Sequence, residues 1–117
     1  MRYISTRGHA PARDFAGVLL AGLAEDGGLF VPETWPHFSP ADWRAMRGLS
    51  YPALAARVMQ PFVAGTIPAE TLLSICQEAY ASFGHPAVAP LVQLETNLFV
   101  QELFHGPTLA FKDMAMQ

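Results

Sequence analysis

Lysine is nearly missing from this chain. Of its seven lysine and arginine side chains, six are arginines, at positions 2, 7, 13, 44, 47 and 57, and Lys112 alone carries an amine. Cysteine is as scarce: a single Cys76 excludes an internal disulfide framework and fits a reducing compartment. It falls in an apolar helical pattern, which reads as a buried structural thiol. No run approaches the roughly twenty apolar residues that a membrane helix needs. No basic start leads into an apolar stretch, so no secretory leader is read, and a cytoplasmic protein without a membrane partner is expected. Cations are too few and scattered for a nucleic-acid face, and net charge is −3. His9, His37 and His85 lie far apart without ligand-like spacing, so no metal site is read. Gly27-Gly28 has no third glycine, which makes it a turn and not a phosphate loop.

What is present suffices for one core, since 51% of the 117 residues are hydrophobic. Tyr3-Ile4-Ser5 reads as extended. Asp14 caps a helix to about Leu23, with Phe15, Val18, Leu19 and Leu23 as a core-facing stripe. Leu29 to Val31 reads as a strand ended by Pro32. Ser39, Pro40 and Asp42 open a helix to about Arg47, closed by Gly48. Ser50 opens another over residues 51–64, with Pro61 expected to kink or shorten its last turn. Pro68 starts a fourth to about Phe83, whose Leu72, Ile75, Cys76, Ala79, Tyr80 and Phe83 share one face. Residues 1–86 therefore read as an α+β unit, mainly helical with a small sheet. Leu91 to Leu94 and Leu98 to Phe104 follow as strands around a Glu95-Thr96-Asn97 turn. A Gly106-Pro107 bend and a helix start at Lys112 come next. Strand, loop with a reactive residue, then helix is how many α/β enzymes place their chemistry.

An arginine stays protonated, so Lys112 is the one side-chain amine available as a nucleophile. It follows Leu109, Ala110 and Phe111, company in which desolvation would favour the neutral amine. From the residues alone the commoner reading is a solvated surface lysine at a helix start, since most lysines are solvated. Each neighbour also has two readings. His105 is a proton carrier or a locally satisfied ring. Thr108 contacts a ligand or caps its own loop. Asp113 suits the helix dipole or restrains the lysine. Arg7 binds an anion or makes a structural contact between domains.

The run His105 to Asp113, HGPTLAFKD, resembles the segment of the threonine synthase family whose lysine holds pyridoxal phosphate as a Schiff base. Tyr3 to Gly8 (YISTRG), Gly22 to Pro32 (GLAEDGGLFVP) and Val100 to Phe104 (VQELF) resemble the same family, in the same order. This resemblance implies that Lys112 is both catalytic and cofactor-binding. It implies a carbon–oxygen lyase that converts O-phospho-L-homoserine and water to L-threonine and phosphate, the last step of threonine biosynthesis. It also implies that residues 1–86 are the family's N-terminal helical domain. Residues 87–117 would be the truncated first strands of an α/β pyridoxal-phosphate domain of tryptophan-synthase type. The partner would be the missing C-terminal part of the same chain, and these 117 residues alone are expected to be inactive. Two alternatives stay open: a related phospho-lyase with another product, and a non-catalytic module that binds a partner. With their covering elements absent, Leu98, Phe99, Val100, Leu103 and Phe104 are expected to be exposed. Residues 91–117 should then fold back on the helices or pair with another chain.

Overall fold

Strands β1 (Tyr3–Ser5) and β2 (Phe30–Pro32) pair antiparallel, Ile4 opposite Val31, in the computed structural model, which describes residues 1–117. Leu29, expected in β2, stays outside it. Its carbonyl accepts from the Thr6 amide, but its own amide donates to Thr6 Oγ1 at 3.0 Å, so a side chain interrupts the ladder. Asp26 ties this corner together. Ser5 Oγ lies 2.7 and 2.8 Å from its two carboxylate oxygens, and the amides of His9, Ala10 and Gly28 donate to it. A Cβ at Gly28 would lie 3.0 Å from Asp26 Oδ1 and closer still to Ser5 Oγ, so glycine is required for this approach.

Partial burial pushes the Asp26 carboxyl up, but the Ser5 hydroxyl and three amides outweigh it and hold the group at about 2, against 3.8 ordinarily. Folding therefore favours the ionised form. Its stabilisation is complete above the unfolded value and is lost as pH falls from 3.8 through about 2. The thermal midpoint of the parent should drop across that window. An Asp26→Asn variant should start lower at neutral pH and converge on the parent in acid. Parallel pH profiles for the two proteins would contradict the assignment.

Helix α1 (Phe15–Ala21) is capped by Asp14, whose carboxylate accepts from the Gly17 amide, and stops at Gly22 with φ 69°. Its expected core stripe is only half realised: Leu19 is 69% exposed and Leu23 61%, because nothing in the chain covers that side. Helix α2 (Pro40–Ala45) opens with a full capping box between Ser39 and Asp42. Helix α3 (Tyr51–Val63) runs on past Pro61 for two residues. The proline falls in the last turn, so the helix is not shortened at that point. Helix α4 (Ala69–Tyr80) ends three residues short of Phe83, where the Ala81 and Phe83 amides reach back only three residues.

The core lies between α3 and α4: Ala56, Val63, Leu72 and Cys76 are buried, with Phe15, Leu73 and Tyr80 packed around them. Ile75, assigned to the same face from spacing, is 48% exposed. Tyr3 ties the sheet to this layer by donating its hydroxyl to the Phe62 carbonyl at 2.7 Å. Burial pushes the Cys76 thiol up, which keeps it unreactive as expected of a structural cysteine. Leu72→Ala should reduce unfolding free energy by about 2–5 kcal/mol through lost transfer energy and a cavity. A fall in urea midpoint at constant slope would show it. An unchanged midpoint would mean that the α3–α4 layer is not the cooperative core.

Strands β3 (Leu91–Glu95) and β4 (Leu98–Gln101) form a second antiparallel hairpin, with a register shift between Gln93 and Glu95. β4 stops at Gln101 and does not reach Phe104. Leu91 is the last partner, and Pro90 beyond it accepts from the Glu102 amide but has no amide to return. Every residue of the hairpin is exposed. The final turn, α5 (Asp113–Met116), instead lies against α4, where Ile75, Cys76, Ala79 and Tyr80 line a cavity of about 250 Å³ with Asp113 and Met114. So the tail folds back through α5 and not through the hairpin. The α+β class stands, with five helices and two small sheets.

Candidate functional site

Residues 102–112 connect β4 to α5, and the two ends of this loop are anchored differently. At the first end, His105 Nε2 sits 2.7 Å from Glu102 Oε2, and its ring stacks on Phe104 at 4.6 Å. Its carbonyl accepts from the Gly84 amide at 2.8 Å, which brings the His85 ring to 5.1 Å. His105 is thus held by local partners. The three groups His85, His105 and Glu102 do not make a three-ligand metal arrangement.

The other end is closed by Asp113. Its side chain is buried, and Thr108 binds it twice, the amide donating to Oδ2 and the hydroxyl to Oδ1, both at 2.8 Å. Gln117 Nε2 adds a longer bond of 3.3 Å. Burial alone would raise the Asp113 carboxyl, but the Thr108 hydroxyl and amide together hold it below the usual carboxylate range. Gly106 makes room for it: a Cβ there would lie 2.5 Å from Asp113 Oδ2 and 2.7 Å from Cγ. Between these contacts the chain turns through Leu109 at φ 60°, a left-handed conformation that costs a non-glycine residue about 1–3 kcal/mol.

Lys112 precedes Asp113 and is exposed. Its amine takes part in none of the three ion pairs. The apolar residues beside it in sequence do not enclose it: Leu109 is 73% exposed and Phe111 66%. The desolvated setting expected from the sequence is therefore not supplied by this chain. Of the neighbours considered, the loop brings Thr108 and Asp113 together, while His105 is tied to Glu102. Arg7 is elsewhere, donating to the Asp26 carbonyl at 2.9 Å within the corner of the first sheet. Spacing carried no signal for two features: the approach of His85 to His105, twenty residues apart, and the need for glycine at 106.

A family model described as threonine synthase N terminus matches residues 2–80. The chain is 60% identical to a threonine synthase of Pseudomonas aeruginosa over 117 residues, all of this chain and 25% of that protein. It is 39% identical to threonine synthase-like 2 of Homo sapiens, over 99% of this chain and 24% of that one. Among solved structures, pyridoxal-phosphate-bound threonine synthase from Brucella melitensis superposes with a TM-score of 0.93 and 55% identity, covering 97% of this chain and 24% of the other. The chain spans about a quarter of the length of these relatives. A match over most of the chain, reinforced by identity well above 30% across its whole length, places the chain in the threonine synthase N-terminal family.

Proposed function

We propose that the chain is the N-terminal part of a threonine synthase, with residues 1–86 as its helical domain and residues 87–117 as the first elements of the cofactor domain. The whole protein would act in the cytoplasm as a carbon–oxygen lyase, turning O-phospho-L-homoserine and water into L-threonine and phosphate. The observation that carries this reading is the lysine loop: the chain's one lysine stands exposed and unpaired in a closed, buried-acid-anchored turn. An amine so presented fits the aldehyde of pyridoxal phosphate. The phosphate end finds no glycine-rich cradle here, since the space beside Gly106 is filled by Asp113.

When bound, the cofactor supplies an electron sink for charge developing on the substrate. Lys112 would hold it through the amine nitrogen. Freed by the amine of the substrate, Lys112 would take protons from the α and β carbons as phosphate leaves the γ carbon with its bonding pair; protons would return to the γ and α carbons, and water would supply the hydroxyl at the β carbon. Thr108 and Asp113 would keep the lysine's backbone still during these transfers. The desolvating cover that Lys112 lacks would come from the rest of the polypeptide. A threonine-synthase-like lyase with another product is the second reading; identity of 60% to a threonine synthase, against 39% to threonine synthase-like 2, supports the first.

Borohydride reduction of the full-length protein with pyridoxal phosphate, followed by peptide mapping, tests the assignment. The label should sit on Lys112. A label found only on a lysine after residue 117 would overturn it.

A further inference from the structure

Lys112 and Asp113 are neighbours, yet the fold sends them opposite ways. Successive residues in a helical turn are rotated by about 100°. Asp113 is turned inward and is 3% exposed, whereas Lys112 is in solvent. The inward acid does not pair with the amine: its oxygens are occupied by the Thr108 amide and hydroxyl and by Gln117. The two Thr108 bonds span five residues and close the segment 108–113 into a ring of backbone and side chain. Leu109 is held in its left-handed conformation inside that ring, and Gly106 admits the carboxylate from outside it. A helix dipole alone would be served by an exposed acid, and would require neither the glycine nor the strained residue.

We propose that Asp113 is a positioning residue: its double bond to Thr108 sets the backbone from which Lys112 presents its amine to an aldehyde. The inference rests on the cofactor reading above and deepens it. Besides the clamp, the loop is held only by two single backbone bonds, the Leu109 amide to the Gly106 carbonyl and the Asp113 amide to the Ala110 carbonyl, both at 3.1 Å; losing the clamp would let Leu109 relax toward an ordinary conformation and swing the backbone that carries Lys112. A displacement of about 1 Å at a reacting group can cost on the order of a hundredfold in rate.

The test uses the full-length protein and two variants, Asp113→Ala and Thr108→Val, with Thr108→Ser as the conservative control. The readout is the rate at which Lys112 forms a borohydride-reducible bond with added pyridoxal phosphate, located by peptide mapping. Amide exchange over residues 106–113 is followed without cofactor. Both disruptive variants should slow labelling at Lys112 by about tenfold or more and speed exchange in the loop, with Thr108→Ser near the parent. Thr108→Val leaves the acid and one amide bond in place, so it reports even where Asp113→Ala fails to fold. Parental labelling rates in a folded variant, with only the thermal midpoint lowered, would reduce Asp113 to a structural role and overturn the proposal. Labelling of the parent at a residue other than Lys112 would instead overturn the cofactor reading and this inference with it.

Discussion

Replacing Lys112 with Ala in the full-length protein should remove the covalent hold on pyridoxal phosphate and lower turnover by at least ~10³-fold, within the range for losing a positioned proton carrier. Lys112→Arg should be as inactive. It keeps the charge, but a guanidinium does not deprotonate to become a nucleophile at working pH. Neither change should disturb folding, because the Lys112 side chain is exposed and makes no ion pair; surface substitutions of this kind stay within about ±0.5 kcal/mol. The thermal midpoint separates the two effects. Loss of turnover with an unchanged midpoint is the expected pattern. Turnover retained by either variant would show that another amine does the chemistry.

The 117-residue chain made by itself should release no phosphate from O-phosphohomoserine and should self-associate. Its accessible surface is 8092 Å², against ~6,200 Å² from the size scaling for a compact 12.7 kDa monomer. Its radius of gyration is 16.5 Å, where about 13 Å is usual for this length. Part of it is the β3–β4 hairpin, where Leu91, Leu94, Leu98 and Phe99 are 65%, 58%, 50% and 48% exposed. Two strands alone are marginal in water, and both of their outer edges offer unpaired backbone groups. Covering one such side chain is worth roughly 1.5–3 kcal/mol, so pairing between copies is strongly favoured. Light scattering should show association of the 117-residue chain and none for a version ending at Pro86. A 117-residue chain that stays monomeric with the hairpin unprotected from amide exchange would overturn this. Measurable phosphate release would show that the cofactor needs no phosphate cradle beyond this chain.

How far the residues alone decide the outcome follows from the range of the forces involved. The Asp14 cap and the Ser39–Asp42 box were legible because each is made within three residues, whereas the first helix reads on to Leu23 and its stop at Gly22 emerges only in the fold. Lys112 stands out as a candidate for a different reason: amine chemistry belongs to a residue type, and only one side chain here has it. Periodicity predicted an apolar face for α1 and for α4, but could not say whether another element would cover it. That is why Leu19, Leu23 and Ile75 lie in solvent while Leu72 and Cys76 are buried.

Only the tertiary arrangement decided the rest. β4 reads as a strand to Phe104, yet a strand extends only as far as its partner, and Pro90 ends the ladder. His85 meets His105 because the Gly84 amide bonds across the chain, which no spacing encodes. Asp113 looked like a charge suited to a helix start, and the fold made it the buried clamp on Thr108 beside Gly106. Local bonds and residue chemistry were thus determined by the sequence itself. Burial, pairing partners and the setting of Lys112 depend on surfaces that meet only when distant segments pack.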